Sequence, residues 1–158
     1  MKYPVSFVLN GISVDAYVKP TETLLDVLRE RMGIKSTKRG CDSGDCGACT
    51  VMLEGEPVRS CLIIALTVAG KQIETLEGFM KNGELHPLQT AFVEFNGTQC
   101  GFCAPGMLVS AKALLDRNPQ PSRDEIVEAI SGNLCRCGAY VDVVEAIEAV
   151  AKQNKGKE

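Results

Sequence analysis

The sequence predicts an α+β protein in which a strand-rich N-terminal half is followed by a helical C-terminal half. Two observations predict this fold class. Near the N-terminus, apolar and polar residues alternate at every second position, which is typical of half-buried strands. Beyond about residue 85 the alternation ends, and apolar residues recur at the spacing of amphipathic helices. We therefore predict two domains, residues 1–80 and residues 81–158, with the polar segment 81–84 as their connection.

The N-terminal half contains patterns for five strands and one helix. Asn10-Gly11 is a hairpin turn signal, and a second turn is predicted at residues 54–57. The helix, residues 24–32, begins with a capping box formed by Thr23 and Asp26. The strands are predicted at residues 3–9, 12–18, 50–53, 58–62 and 72–76. Hairpin, helix, loop, hairpin and strand is the element order of a β-grasp fold.

The C-terminal half contains patterns for four amphipathic helices. Pro87 and Pro105 can each open a helix, because proline is tolerated in the first helical turn. Ser122 begins a capping box for a third helix. The fourth helix is predicted over residues 140–152, and the polar residues from 153 onward predict a frayed tail. Four short helices of this kind predict a small four-helix bundle.

Composition and the N-terminal sequence limit the class of protein to which the chain can belong. Hydrophobic residues make up 45% of the 158 residues, which is enough for a packed core. The first residues run directly into a strand pattern without a signal peptide, and no apolar run approaches the ~18 residues of a membrane span. We therefore expect a cytoplasmic protein without a membrane span. Thiols stay reduced in that compartment, where cysteine clusters bind metal more often than they form disulfides.

Eight cysteines fall into two sets of four. The first set has the spacing C-x4-C-x2-C followed by a later cysteine, which is typical of a plant-type 2Fe–2S ferredoxin loop. Its members are Cys41, Cys46, Cys49 and Cys61. Gly40, Gly44 and Gly47 supply the positive φ angles and close backbone approach that such a loop requires. Structural zinc favours paired C-x2-C knuckles, which this spacing fits poorly.

The second set consists of two short pairs, Cys100-x-x-Cys103 and Cys135-x-Cys137. Each pair immediately precedes a predicted helix, whose N-terminus favours an anionic cluster. Taken alone, the four cysteines also match a zinc site, because zinc binds four thiolates as well. The C-x-C pair and the companion ferredoxin loop favour a second 2Fe–2S cluster.

The charge balance argues against nucleic acid as a partner. The formal net charge is -3 with neutral cysteines. Two dianionic 2Fe–2S cores would bring it to about -7. No stripe of Lys and Arg residues opposes this balance.

Three strings of residues resemble those of a known family. They are GCDSGDCGACT at residues 40–50, QCGFCAPGM at residues 99–107 and GNLCRC at residues 132–137. They are similar to strings in the small iron–sulfur subunit of molybdenum hydroxylases, the family of xanthine dehydrogenase, aldehyde oxidoreductase and carbon monoxide dehydrogenase. The resemblance covers nearly the whole chain. It implies a ferredoxin-like β-grasp domain followed by a helical-bundle 2Fe–2S domain.

The resemblance also implies partners and further site residues. A large subunit would bind molybdopterin, in a dinucleotide form, and a medium subunit would bind FAD, in a dimer of heterotrimers. The cluster in the helical domain would lie nearer molybdenum, and the ferredoxin-like cluster nearer the flavin. A glutamine like Gln99 and a cysteine like Cys137 approach the pterin in that family. The chain departs from the family pattern at Ala104, where threonine is common, and at Gly138-Ala139-Tyr140, where Thr-Gly-Tyr is common, although all eight cysteines are present.

These patterns predict an electron-transfer subunit that passes electrons singly between molybdopterin and FAD. No catalytic residue is expected in this chain, because the substrate site would lie in a partner. The alternatives are a free-standing two-cluster ferredoxin and a zinc-stabilised adaptor without redox function. The single histidine, His86, precedes Pro87 and is interpreted as a helix cap or surface residue. Arg136, between two of the cysteines, would stabilise cluster charge or contact the large subunit.

Overall fold

The computed structural model describes residues 1–154, and these form a five-stranded sheet and five α-helices. The strands are β1 (Tyr3–Leu9), β2 (Ile12–Val18), β3 (Thr50–Leu53), β4 (Glu56–Arg59) and β5 (Gln72–Glu74). They lie in the order β2-β1-β5-β3-β4. Strand β5 pairs parallel with β1 and antiparallel with β3, so it joins the two hairpins into one sheet.

The first hairpin follows the predicted pattern. Val5, Phe7 and Leu9 of β1 point into the core, because successive side chains of a strand point to opposite faces. Asn10 and Gly11 both have positive φ, 51° and 82°, as a two-residue turn of the primed type requires. The two predicted strands of this hairpin are confirmed over residues 3–9 and 12–18.

The second hairpin differs from the prediction. The turn is made by Glu54 and Gly55 alone, and Pro57 lies within β4, opposite Met52. Strand β4 is at the edge of the sheet, where a proline without an N–H group is tolerated. The prediction of a strand at residues 58–62 is therefore wrong in its bounds, since the strand is Glu56–Arg59 and Ser60–Leu62 forms a 3₁₀ turn. The last strand is likewise shorter than predicted, because a 3₁₀ turn begins at Leu76.

The helix between the hairpins covers one face of the sheet. It begins as α1 (Leu24–Asp26) and continues as a π-helical turn, Val27–Arg31. The predicted capping box is confirmed, because the Asp26 amide donates to Thr23 Oγ1 and the Thr23 amide donates to the Asp26 carboxylate. Leu24 and Leu28 are fully buried against sheet residues such as Phe7.

Four helices make up the C-terminal half of the described chain. They are α2 (Pro87–Glu94), α3 (Ala104–Arg117), α4 (Arg123–Ile130) and α5 (Tyr140–Asn154). His86 caps α2, since its Nδ1 accepts a hydrogen bond from the amide of Leu88, 3.2 Å away. Ser122 caps α4 as predicted. Helix α5 includes Gln153 and Asn154, so the predicted frayed tail does not begin at 153, and its remaining residues lie outside the described range.

Two separate apolar cores support the two halves. One lies between the sheet and α1 and includes Val5, Phe7 and Leu28. The other lies among α2–α5, where it includes Phe92 and Met107, and it extends to Met52 of β3. Burial of such side chains stabilises each half by roughly 1.5–3 kcal/mol per large residue. Over residues 1–154, no helix has the length and apolar character needed to cross a membrane.

Candidate cluster-binding sites

The first set of cysteines lies on and beside the loop between the π-helical turn and β3. Cys49 directly precedes β3, and Cys61 lies in the 3₁₀ turn that follows β4. Because β3 and β4 are antiparallel neighbours, these two residues meet, and they are buried together with Leu25. Cys41 is exposed and Cys46 is half-buried. The first set thus has a buried pair, Cys49 and Cys61, and a pair nearer the surface, Cys41 and Cys46.

Backbone amides donate to the sulfur atoms of this loop. The N–H groups of Ser43 and Cys46 each lie 3.4 Å from Cys41 Sγ. The Ser43 hydroxyl and these amides lower the pKa of Cys41 to about 6. Burial, with the neighbouring Cys49, raises the pKa of Cys61 to about 11. A bound metal would stabilise the thiolate form of such a buried cysteine, because metal ligands bind deprotonated.

Part of the loop depends on glycine. Gly44 has a φ of 86°, in the left-handed region, and its amide acts against burial to lower the pKa of Cys61. Gly40 has no positive φ, but a Cβ there would meet Cys46 Sγ at 2.7 Å. The predicted roles of Gly40 and Gly44 thus differ: one permits the turn, and the other permits close approach of a cysteine.

The second set of cysteines lies at the N-termini of two helices. Cys100 and Cys103 precede α3, and Cys135 and Cys137 precede α5. The sulfur atoms of Cys100 and Cys137 are 3.5 Å apart, and both residues are exposed. Cys103 and Cys135 are half-buried beneath them. The two loop–helix units thus bring their cysteine pairs face to face.

Burial and amide donors shift the pKa values of these cysteines in opposite directions. Burial raises the pKa of Cys103 to about 12, with Cys135 adding to the effect. The amide of Phe102 lowers the pKa of Cys100. Burial opposes ionisation of Cys135, but the amide of Ala139 and the neighbouring Cys103 lower its pKa overall. As in the first set, amide donors are aimed at sulfur atoms that would carry negative charge as ligands.

Tyr140 also holds the loop that carries Cys135 and Cys137. Its hydroxyl accepts a hydrogen bond from the amide of Cys135 at 2.7 Å. The ring therefore fixes a ligand-bearing backbone through a contact that no spacing pattern indicates. Gly138, at the position where threonine is common in the resembled family, offers no side-chain hydroxyl, and its neighbour Ala139 is buried.

The donor chemistry of both sets fits an iron–sulfur core. All eight cysteines are free and none forms a disulfide. Each set supplies four sulfurs, the number that a 2Fe–2S cluster takes. In the described range no group of three or more His, Cys, Asp or Glu residues is arranged around a single-ion position.

The two sites are joined by direct contacts that sequence reasoning missed. The amide of Leu134 donates to the carbonyl oxygen of Cys46 at 2.9 Å. Asn133, 2% exposed, donates from Nδ2 to the carbonyl oxygen of Gly47 at 3.0 Å. Arg59 donates from Nη2 to the carbonyl oxygen of Gly132 at 2.7 Å. The only signal in the sequence was an asparagine two residues before a cysteine, which reads equally well as a turn residue.

A cavity of about 640 Å³ opens beside both sets of cysteines. Its lining includes Cys46 from the first set and three cysteines of the second, together with two aromatic residues and an arginine: Cys100, Cys103, Cys135, Phe102, Tyr140 and Arg136. Gln99 and Cys137 are exposed, and each is adjacent in sequence to a residue of this lining. His86 has no contact with either set, because it caps α2 and packs against Phe79.

Two family models match the chain in succession. A 2Fe-2S iron-sulfur cluster binding domain matches residues 7–77, and a [2Fe-2S] binding domain matches residues 75–148. Each model contains one complete set of four cysteines.

Curated relatives match over nearly the full chain. The nicotinate dehydrogenase small FeS subunit of Eubacterium barkeri is 45% identical, covering 92% of this chain and 93% of the relative. A nicotinate dehydrogenase subunit of Pseudomonas putida is 41% identical, covering 98% and 99%. The nicotine 6-hydroxylase small subunit of Paenarthrobacter nicotinovorans is 46% identical, covering 88% and 84%.

Solved structures show the same fold. Quinoline 2-oxidoreductase from Pseudomonas putida 86 contains a chain that superposes with a TM-score of 0.93 at 44% identity, covering 98% of this chain and 96% of that one. The aldehyde oxidoreductase from Desulfovibrio desulfuricans superposes with a TM-score of 0.93 at 41% identity, covering 98% of this chain. This chain corresponds to only 17% of that longer polypeptide.

Proposed function

The chain belongs to the family of small iron–sulfur subunits of molybdenum hydroxylases, and we propose from this that it carries electrons one at a time between a molybdopterin centre and FAD held by partner chains. A 2Fe–2S cluster supplies reversible one-electron chemistry when bound. The observation that carries the proposal is the presence of two complete cysteine sets, one in each half, on loops that touch.

We assign the ligands of each cluster by set. Cys41, Cys46, Cys49 and Cys61 would hold the first cluster, and Cys100, Cys103, Cys135 and Cys137 the second. Amide donors at Cys41, Cys61, Cys100 and Cys135 support this assignment, since they stabilise negative charge on sulfur. Each site faces outward at its exposed cysteines, which are Cys41 in the first set and Cys100 and Cys137 in the second.

The same reasoning supports the finer domain description. The strand order, with β5 parallel to β1 between two hairpins, supports a β-grasp domain over residues 1–80. The separate apolar core among α2–α5 supports a four-helix bundle domain over residues 81–158. The exposed segment 81–84 would connect them.

The partners follow from the relatives and from the exposed end of the second set. We propose a large subunit with molybdopterin, in a dinucleotide form, a medium subunit with FAD, and a dimer of such heterotrimers. Gln99 and Cys137 would approach the pterin, because both are exposed beside Cys100. The substrate site would lie in the large subunit, and the relatives' names favour an N-heteroaromatic compound or an aldehyde as substrate. A cytoplasmic location stays a prediction.

Purification through a tag on this chain from its native host tests the proposal. We expect two larger chains to co-purify, one with molybdopterin and one with FAD, and we expect the iron–sulfur absorbance to bleach when the right substrate is added. Nicotinate, quinoline and aliphatic and aromatic aldehydes are the first compounds to screen. A brown chain that purifies alone at full yield would support the free-standing ferredoxin instead, and a colourless zinc-containing chain the adaptor.

A further inference from the structure

The ligand loops of the two sites touch through one backbone hydrogen bond. The Leu134 amide donates to the Cys46 carbonyl oxygen, and Leu134 directly precedes Cys135. The bond therefore connects a cysteine of the first set to the neighbour of a cysteine of the second. Leu134 itself is 57% exposed, so its side chain does little to hold this contact in place.

A buried amide side chain holds the contact from one side. Asn133 Nδ2 donates across the boundary to the carbonyl oxygen of Gly47, which is the neighbour of Cys46. Its Oδ1 accepts from the Ser110 hydroxyl of α3 at 2.8 Å. Asn133 is thus anchored within the helical half and reaches into the ferredoxin-like loop.

A guanidinium group holds the contact from the other side. Arg59, in β4, donates from Nη2 to the Gly132 carbonyl oxygen and from Nη1 to Thr50 Oγ1 at 2.9 Å. The Thr50 hydroxyl in turn donates to the Gly47 carbonyl oxygen at 2.6 Å. Arg59 and Asn133 therefore make reciprocal bonds, one from each half, on the two sides of the Leu134–Cys46 contact.

The backbones at this boundary lie too close for any side chain. A Cβ on Gly47 would overlap the Gly132 carbonyl oxygen, and a Cβ on Gly106 of α3 would overlap the Gly47 carbonyl oxygen. The boundary is thus a rigid, close-packed polar contact rather than a flexible linker. Such close packing supports the precise placement that functional groups require.

We propose that Asn133 and Arg59 are positioning residues that hold the two cysteine loops in the register needed for electron transfer between the clusters. The inference rests on the proposed function. The two cysteine sets would hold the donor and acceptor clusters of a one-electron exchange, in which one side would be oxidised and the other reduced without breaking a bond or moving a proton. The rate of such a transfer falls steeply with separation and with the loss of bonded contacts. A small shift of the loops would therefore slow electron transfer.

A structural role alone would give a different result, which makes the proposal testable. Asn133→Ala removes the bond to Gly47 across the boundary, whereas Ser110→Ala removes the bond on the other side of the same amide, within the helical half. Ser110→Ala is therefore the matched control. Arg59→Met keeps the length of the side chain but removes the bond to Gly132, and it decides the question if Asn133→Ala fails to bind its clusters.

The experiment uses the full chain in its assembled complex with both clusters present. Two quantities are measured: the magnetic interaction between the reduced clusters in the paramagnetic resonance spectrum, and the rate of electron equilibration between them after flash reduction. We expect Asn133→Ala and Arg59→Met to weaken the interaction and to slow equilibration by several-fold or more, while each cluster keeps its own spectrum. Ser110→Ala should leave both quantities near those of the wild type.

Two outcomes would overturn the inference. One is wild-type equilibration in Arg59→Met and Asn133→Ala complexes that contain both clusters. The other is an equal loss in Ser110→Ala, which would mean that the amide matters for packing only. A wild-type complex without two cluster signals would instead refute the proposed function itself, so the two failures are distinguishable.

Discussion

The sulfur atoms of Cys100 and Cys137 lie side by side, 3.5 Å apart, at the exposed end of the helical half. They come from loops before two different helices, α3 and α5, so their approach depends on how those helices pack. Cys103 and Cys135 lie deeper in the same site. The second site thus has an exposed edge, formed by Cys100 and Cys137, that a partner can approach.

Metal analysis gives the simplest prediction. Eight cysteine ligands at two per iron should hold about four irons and about four acid-labile sulfides per chain. The reduced protein should show two distinct paramagnetic resonance signals, because a sheet loop and two helix N-termini surround the sulfurs with different amide donors. A single signal, or zinc in stoichiometric amount, would contradict the two-cluster account.

Gly47→Ala should destabilise the chain more than an alanine at a comparable open glycine. Gly47 has a φ of 72°, and a new Cβ would overlap the Gly132 carbonyl oxygen. Gly70 has a φ of 74° with open space around the new Cβ, so Gly70→Ala measures backbone strain alone. We expect strain to cost roughly 1–2 kcal/mol at Gly70. The overlap should add roughly 1–3 kcal/mol at Gly47.

Chemical unfolding of the two alanine variants measures this difference. The stabilities of the wild type, Gly70→Ala and Gly47→Ala are compared under one set of conditions. Equal losses in the two variants would show that the boundary between the cysteine loops is looser than the structure has it.

The Asp26 carboxylate should make part of the chain's stability dependent on pH. Burial opposes its ionisation, but hydrogen bonds from Thr23 and the pairing with Arg39 lower its pKa overall. A lowered folded-state pKa means that the stabilisation is present above the ordinary carboxyl pKa and is lost as pH falls through the folded value. Asp26→Asn should therefore cost roughly 0.2–1 kcal/mol at pH 7, the size of a partly exposed ion pair.

Unfolding of wild type and Asp26→Asn side by side, at a series of pH values from neutral downward, tests this dependence. The difference between the two proteins should shrink as pH falls, since the wild type loses the same stabilisation when its carboxyl group protonates. Acid loss of the clusters affects both proteins and so drops out of the comparison. A difference that stays constant with pH would mean that the Asp26 charge contributes nothing.

Local features of the fold were predictable because their causes are local. Asn10-Gly11 and the capping boxes at Thr23 and Ser122 each depend on residues a few positions apart, and the structure confirms all three. The bounds of β4 were not predictable in the same way. Pro57 normally argues against a strand interior, and only the position of β4 at the sheet edge makes it acceptable.

The site was predictable in its ligand candidates but not in its supporting contacts. Spacing alone separates the eight cysteines into two sets. The roles of Asn133, Arg59 and Tyr140 depend on which backbones meet after folding, since their partners lie on other loops and strands. The π-helical turn after α1 was also missed, because apolar spacing does not distinguish it from an α-helix over so few residues.

Rapid-mixing spectroscopy of the assembled complex tests the central claim most directly. Cys49→Ser should disable the first cluster, and Cys100→Ser the second, after which metal analysis and resonance spectra confirm which cluster remains. If the second site lies next to the partner's molybdenum, substrate should still reduce the second cluster in the Cys49→Ser complex, while flavin reduction fails. In the Cys100→Ser complex, electrons from substrate should stop at molybdenum. Fast flavin reduction by substrate in the Cys100→Ser complex would contradict the account.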